Sequence, residues 1–191
     1  MQKIYLFRHG QTTYNRDEKF TGFIDSKLTD AGKKHARIIA KKMKDKKFQV
    51  AIHTRLSRSK DTLKPVLKNH KECVFIMEDD RMIERSYGNL AGKTHKSIIK
   101  KYGERKYNQW HRGYSIKNRP PRGESFEDVE KRVKFFIKDL KKFMLNHKVN
   151  VAISAHGNSI RLFRKIMEKA PVKKTIKWNI PYDKVFEYNI K

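Results

Sequence analysis

Short apolar runs alternate with longer amphipathic ones along this chain, and that alternation restricts its fold more than any other feature. Residues 2–7 (QKIYLF) are short, apolar and closed by polar residues, as a buried strand is. Residues 30–46 (DAGKKHARIIAKKMKDK) instead carry apolar residues at helical spacing, with Thr29 or Asp30 placed to cap the helix. The rhythm then repeats. A strand at 49–53 (QVAIH) leads to a helix at about 57–69 and a strand at 73–77 (CVFIM). The spacing predicts a long helix over about 125–146, opened by the capping-box-like SFED, then a strand at 149–154, a helix at about 158–168 and a last strand at 184–190. Such alternation predicts one α/β domain, 1–191, built as a three-layer α/β/α sandwich with a mostly parallel central sheet. Residues 78–124 interrupt it. They are loop-rich, contain Gly and Pro, and predict a small helical and loop lobe with one or two short helices around 93–111.

Charge narrows the functional classes. Lys and Arg number 47 against 20 Asp and Glu, a formal net charge of +27. So basic a balance points to nucleic acid or to a small polyanionic substrate. The lysines, however, are spread along the chain in KKMKDKK, KSIIKKYGERK, KKFMLNHK and KKTIKW, with no RNP-type motif, zinc-finger spacing or basic arm. They read as solvated helix faces with no specific nucleic-acid partner, although weak, salt-dependent binding could accompany them. Cys73 is the one cysteine, so no intrachain disulfide forms; it reads as inert core in mid-strand and suits a reducing cytosol. The first apolar run is too short for a signal peptide and no segment approaches a membrane span, so the expected location is cytoplasmic. Nothing in the pattern reports an oligomeric state.

LFRHGQT follows the first strand, and AISAHGNS, residues 152–159, follows a later one. Both place His-Gly just past the C-terminal end of an apolar strand, where α/β sheets gather their ligands. If the two strands are neighbours, His9 and His156 converge on one pocket. Metal ligation fits poorly, because no His pair has i, i+4 spacing and the neighbouring residues are Arg and Lys, which repel cations. A Ser-His-Asp triad lacks its G-x-S-x-G elbow. Arg8, Arg58 in RLSRSKDT and Arg161 instead surround the two histidines with guanidinium groups, which match phosphate oxygens bidentately. In such a cradle a neutral imidazole can attack phosphorus and carry the phosphoryl group covalently. Gly10 would let the backbone approach that phosphate closely.

These residues belong to an ordered set that covers nearly the whole chain. RHGQTTYN, FTGFIDSKLTDAGKKHA, RLSRSKDT, IERSYGNLAG, KYGERKYNQWHRGYSIKNRPPRGES, SAHGNSIR and WNIP follow one another in sequence. The set resembles the histidine phosphatase superfamily and, within it, the cofactor-dependent (2,3-bisphosphoglycerate-dependent) phosphoglycerate mutases. The resemblance implies a phosphoglycerate mutase that interconverts 3- and 2-phosphoglycerate, with 2,3-bisphosphoglycerate as phosphoryl donor and no metal. His9 would be the nucleophile that becomes phosphohistidine. Arg8, Arg58 and His156 would bind the transferring phosphoryl group, and Glu84 would be the general acid/base. Asn15, Thr21, Gly22 and Tyr87 match positions that hold the phosphoryl group or the substrate. Arg112 matches an arginine for the far end of a small phosphorylated sugar acid, and Asn158 could offer amide and helix N-terminal donors. Trp110 reads as packing.

Three departures, together with the place where the chain ends, bear on the specific activity. The W-R-R stretch reads WHR, which puts His111 in place of an arginine. The mutase lysine falls at His95, with Lys93 and Lys96 flanking it as substitutes. RHGQT is the form common in the phosphatase branch, and the chain ends at Lys191, without the tail that closes over longer mutases and guards phosphohistidine from water. The alternative is therefore a phosphatase hydrolysing a small phosphomonoester by the same chemistry. GNLAGKT is one residue short of a P-loop and no apolar strand precedes it. A purely charge-driven nucleic-acid binder would leave Glu84 and both His-Gly turns without a role.

Overall fold

A computed structural model describes residues 1–191. In chain order it contains β1 (Gln2–Arg8), α1 (Thr13–Arg16), α2 (Asp30–Met43), β2 (Val50–His53), α3 (Ser57–Leu67) and β3 (Phe75–Glu78). There follow α4 (His95–Arg112), α5 (Phe126–His147), β4 (Val151–Ala155), α6 (Gly157–Met167), α7 (Val172–Thr175) and β5 (Val185–Ile190). The strands form one sheet in the order β3-β2-β4-β1-β5. Only β5 runs antiparallel, beside β1.

Strand alternation sorts the core into two layers. Ile4 and Leu6 of β1 join Val133, Phe136 and Phe163 of α5 and α6 on one face. Tyr5 and Phe7 join Ile39, Met43 and Leu63 of α2 and α3 on the other. Each fully buried side chain of this size contributes roughly 1.5–3 kcal/mol. A strand covered on both sides has no polar face, which is why β1 reads as a continuous apolar run. This is the three-layer sandwich expected. Helix starts follow their capping residues: Thr29 Oγ1 accepts from the Gly32 amide at 3.0 Å. Ser125 and Asp128 cap α5 reciprocally. Each cap is worth about 1 kcal/mol.

The departures from expectation are local. β3 begins at Phe75, and because it is an edge strand, Phe75 and Ile76 are exposed. Cys73 therefore precedes the strand and is only half-buried, not core in mid-strand. The short helices expected in the lobe are present: α4 consists of two helical segments that meet at a kink at Gly103, whose φ of 78° and ψ of 158° are not helical. The lobe has its own apolar cluster of Phe20, Tyr87, Leu90, Ile98 and Trp110. Four-residue α1 and α7 are too short to leave a period in the sequence.

Candidate active site

β1 and β4 are parallel neighbours with Arg8 beside Ala155, so the next residues, His9 and His156, leave the sheet side by side. Their ring centroids are 5.0 Å apart. His9 Nδ1 lies 2.7 Å from the Gly10 carbonyl oxygen. A carbonyl can only accept, so Nδ1 carries the proton and Nε2 keeps its lone pair. Burial, then the charges of Arg58 and Arg8, push the His9 pKa well below the ordinary imidazole value. The ring is thus neutral at pH 7, as a nitrogen nucleophile must be. His156 is held from the other side, its Nε2 2.8 Å from Thr54 Oγ1, and burial and Arg58 depress its pKa likewise.

Arg58 is 1% exposed. It donates from Nη1 to the Ile24 carbonyl at 2.9 Å and from Nη2 to the Gly22 carbonyl at 2.8 Å. Gly22 adopts φ +54°, and a Cβ there would lie 3.1 Å from the Tyr87 amide nitrogen. Burial lowers the Arg58 pKa to about 10, which still leaves it charged at neutral pH. Arg8 donates from Nη1 to the Ile180 carbonyl at 2.9 Å, with its guanidinium 4.2 Å over the Tyr182 ring. Arg8 Nε, Arg58 Nε and His156 Nδ1 are buried without a protein partner. An unsatisfied buried polar group costs roughly 1–3 kcal/mol. The charges of Arg58 and Arg8 act on both rings, so these nitrogens belong to one positive cluster that suits an anion.

Glu84 is 8% exposed. Its Oε1 accepts from the amides of Arg85 at 2.9 Å and Asn158 at 3.0 Å. A Cβ on Gly157 would lie 3.6 Å from Glu84 Oε2 and 3.6 Å from Arg8 Nε, so the free carboxylate oxygen and the cradle share the start of α6. Asn158 donates from Nδ2 to the Tyr87 hydroxyl at 3.2 Å and accepts from Arg161 Nη1. One donor atom each from His9, Glu84 and His156 fall within 4.8 Å of one another, a spacing that could also hold a cation. The arginine charges that depress both imidazoles make the position favourable to an anion instead.

A cavity of about 150 Å³ opens beside the cradle. The structure brings Asn15, Thr21, Gly22 and Tyr87 to it, together with His95, His111 and Asn158. His95 stacks on Phe20 at 4.2 Å, and His111 meets both rings edge-on. Two expected binders stand elsewhere. Lys93 is exposed outside the cavity and contributes only its carbonyl, which accepts from the Phe20 amide. Arg112 is exposed in an adjoining hollow beside Trp178. Gly10 also makes room, by its missing side chain, for Gly32 of α2, whose carbonyl oxygen would lie 2.3 Å from a Cβ. Sequence reasoning missed Thr54, Lys19 and Tyr182. Thr54 follows β2, so the strand-end rule that found both histidines could have found it; nothing in the spacing marks the other two.

A family model for the histidine phosphatase superfamily (branch 1) matches residues 4–191. This chain belongs to the histidine phosphatase superfamily. Among its relatives, the 2,3-bisphosphoglycerate-dependent phosphoglycerate mutase 2 of Gloeobacter violaceus is 37% identical over 163 residues, covering 84% of this chain and 73% of the relative. The 2,3-bisphosphoglycerate-dependent phosphoglycerate mutase of Parvibaculum lavamentivorans is 34% identical, covering 93% and 85%. The solved alpha-ribazole phosphatase of Shigella flexneri superposes with TM-score 0.86 at 21% identity, over 100% of this chain and 91% of that one. A phosphoglycerate mutase from Bacillus anthracis gives 0.77 at 20% identity, over 97% and 86%. At these identities the superpositions establish the histidine phosphatase fold alone. No helix is long and apolar enough to cross a membrane.

Proposed function

We propose that this superfamily enzyme is a phosphoglycerate mutase that interconverts 3- and 2-phosphoglycerate through phosphohistidine at His9. The supporting observation is the free Nε2 of a neutral His9 among three unpartnered buried nitrogens, with Glu84 Oε2 beside them. Glu84 removes a proton from the free hydroxyl of 3-phosphoglycerate, whose oxygen attacks the phosphorus carried by His9 and breaks its bond to Nε2. After the doubly phosphorylated molecule turns in the site, the freed Nε2 attacks its other phosphorus, the bond from phosphorus to the substrate oxygen breaks, and Glu84 returns the proton to that oxygen. Arg8, Arg58 and His156 stabilise the charge on the equatorial oxygens during both transfers. 2,3-Bisphosphoglycerate, held by the same three residues, supplies the phosphoryl group that primes His9. Mutase relatives at 34–37% identity favour this reading.

A second reading, hydrolysis of a small phosphomonoester, draws on one observation. Burial and the neighbours His95, Arg85 and Arg112 push the His111 pKa down to about 3, so the wall facing the cradle is neutral where mutases carry a cation. Isomerisation of 3-phosphoglycerate with catalytic 2,3-bisphosphoglycerate, measured beside phosphate release from a panel of monoesters, separates the two. The mutase reading expects isomerisation to be the faster; phosphate release dominating with every ester would remove it.

A further inference from the structure

A phosphorylated sugar acid presents two charges, the phosphoryl group and a distal carboxylate. The cradle answers the first. For the second, the wall positions His95 and His111 offer only neutral hydrogen bonds and ring faces, while Lys93 and Arg112 stand outside the cavity. Apart from Arg8 of the cradle, the cations lining the cavity are Lys19 and Arg161. Arg161 already donates from Nε to the Trp178 carbonyl and from Nη1 to Asn158, which ties it to the start of α6 on the phosphoryl side.

Lys19 is different. It is half-buried, forms no salt bridge and makes no side-chain hydrogen bond; its ammonium only rests 5.2 Å from the Tyr14 ring centroid. Its backbone is fixed, with the amide donating to the Tyr14 carbonyl at 2.9 Å and the residue bridged to Thr94 at the base of the lobe. It lines both the inner cavity and the outer hollow that carries Tyr182, so it stands at the mouth across which a substrate would extend.

We propose that Lys19 is the distal-anion anchor of this site, an ammonium that takes over carboxylate recognition from the positions occupied by His95 and His111. The assignment rests on the reading that the substrate is a phosphorylated sugar acid. A directed ammonium on a half-desolvated carboxylate is worth about tenfold or more in affinity. Lys19→Met keeps an unbranched side chain of similar length at this half-buried position, so it removes the ammonium and its contact with the Tyr14 ring and little else.

The test is calorimetric, in a His9→Ala background that blocks turnover, with 3-phosphoglycerate and glycerol 3-phosphate as probes, the second lacking the carboxylate. With Lys19 present, 3-phosphoglycerate binds about tenfold or more tightly than glycerol 3-phosphate; K19M brings the ratio close to one, and K19R retains most of it. A ratio near one with Lys19 present, a ratio that survives K19M, or no binding of 3-phosphoglycerate overturns the assignment. The mutase reading fails separately: a Lys19-dependent preference in a protein that does not isomerise 3-phosphoglycerate keeps the anchor and removes the mutase.

Discussion

Neutral histidines held away from water make this fold sensitive to acid, and half-buried His111 allows the effect to be sized. Its folded pKa is about 3, against 6.5 for an unperturbed imidazole. The unfolded chain therefore takes up a proton below pH 6.5 that the folded chain refuses. Stability from this group is complete above that pH and is lost as pH falls from there toward 3. One pH unit corresponds to about 1.4 kcal/mol per group, so the loss from His111 between pH 7.5 and 5 is about 2 kcal/mol. His9 and His156, shifted the same way by burial and by the arginines, add losses of the same sign. Against a domain stability of roughly 5–15 kcal/mol this is a large fraction. Urea unfolding followed by fluorescence at pH 7.5, 6 and 5 measures it in wild type and in His111→Phe. Phe also fits an aromatic cluster but does not titrate, so any change in packing shifts its whole curve and leaves the pH dependence interpretable. The variant should lose about 2 kcal/mol less than wild type on going to pH 5, roughly a 1 M smaller fall in midpoint. Equal falls in the two proteins would mean that His111 is not held neutral, and the electrostatic reading of the whole site would go with it.

Glu84→Gln keeps the amide contacts of Oε1 but cannot exchange a proton, so kcat should fall on the order of 10²–10⁴-fold while substrate affinity changes little; stopped-flow transfer rates set beside calorimetric affinities check this. Gly32→Ala places a Cβ 2.0 Å from the Gln11 carbonyl oxygen, against backbone that cannot rotate away. We expect a loss of roughly 1–3 kcal/mol or more by thermal melting, with activity falling too because the displaced loop carries His9.

What the sequence disclosed and what it hid divide along physical lines. The alternation of QKIYLF, QVAIH and VNVAIS with amphipathic helices exposed the sheet, because strands covered on both faces must be apolar throughout. Two His-Gly turns at strand ends exposed the pocket, because parallel neighbours deliver residues of equal register to one edge. Contacts that depend on tertiary packing left no such trace. Tyr182 reaches Arg8 from the far end of the chain, and Lys19 stands out only by lining the cavity without a salt bridge or side-chain hydrogen bond. The sequence readily suggested Lys93 as a substitute for the residue at His95, but its exposed turn keeps it out of the cavity. The apolar run CVFIM sets β3 two residues early because an edge strand tolerates exposed Phe75 and Ile76, so apolar character there does not mark burial.

The central claim is that the His9 Nε2 lone pair receives the phosphoryl group. Incubation with labelled 2,3-bisphosphoglycerate, denaturation and peptide mapping test it in one step. The account predicts acid-labile, alkali-stable label confined to the peptide carrying His9 and absent from His9→Ala; label that persists in His9→Ala, or that maps to a different residue, would contradict it.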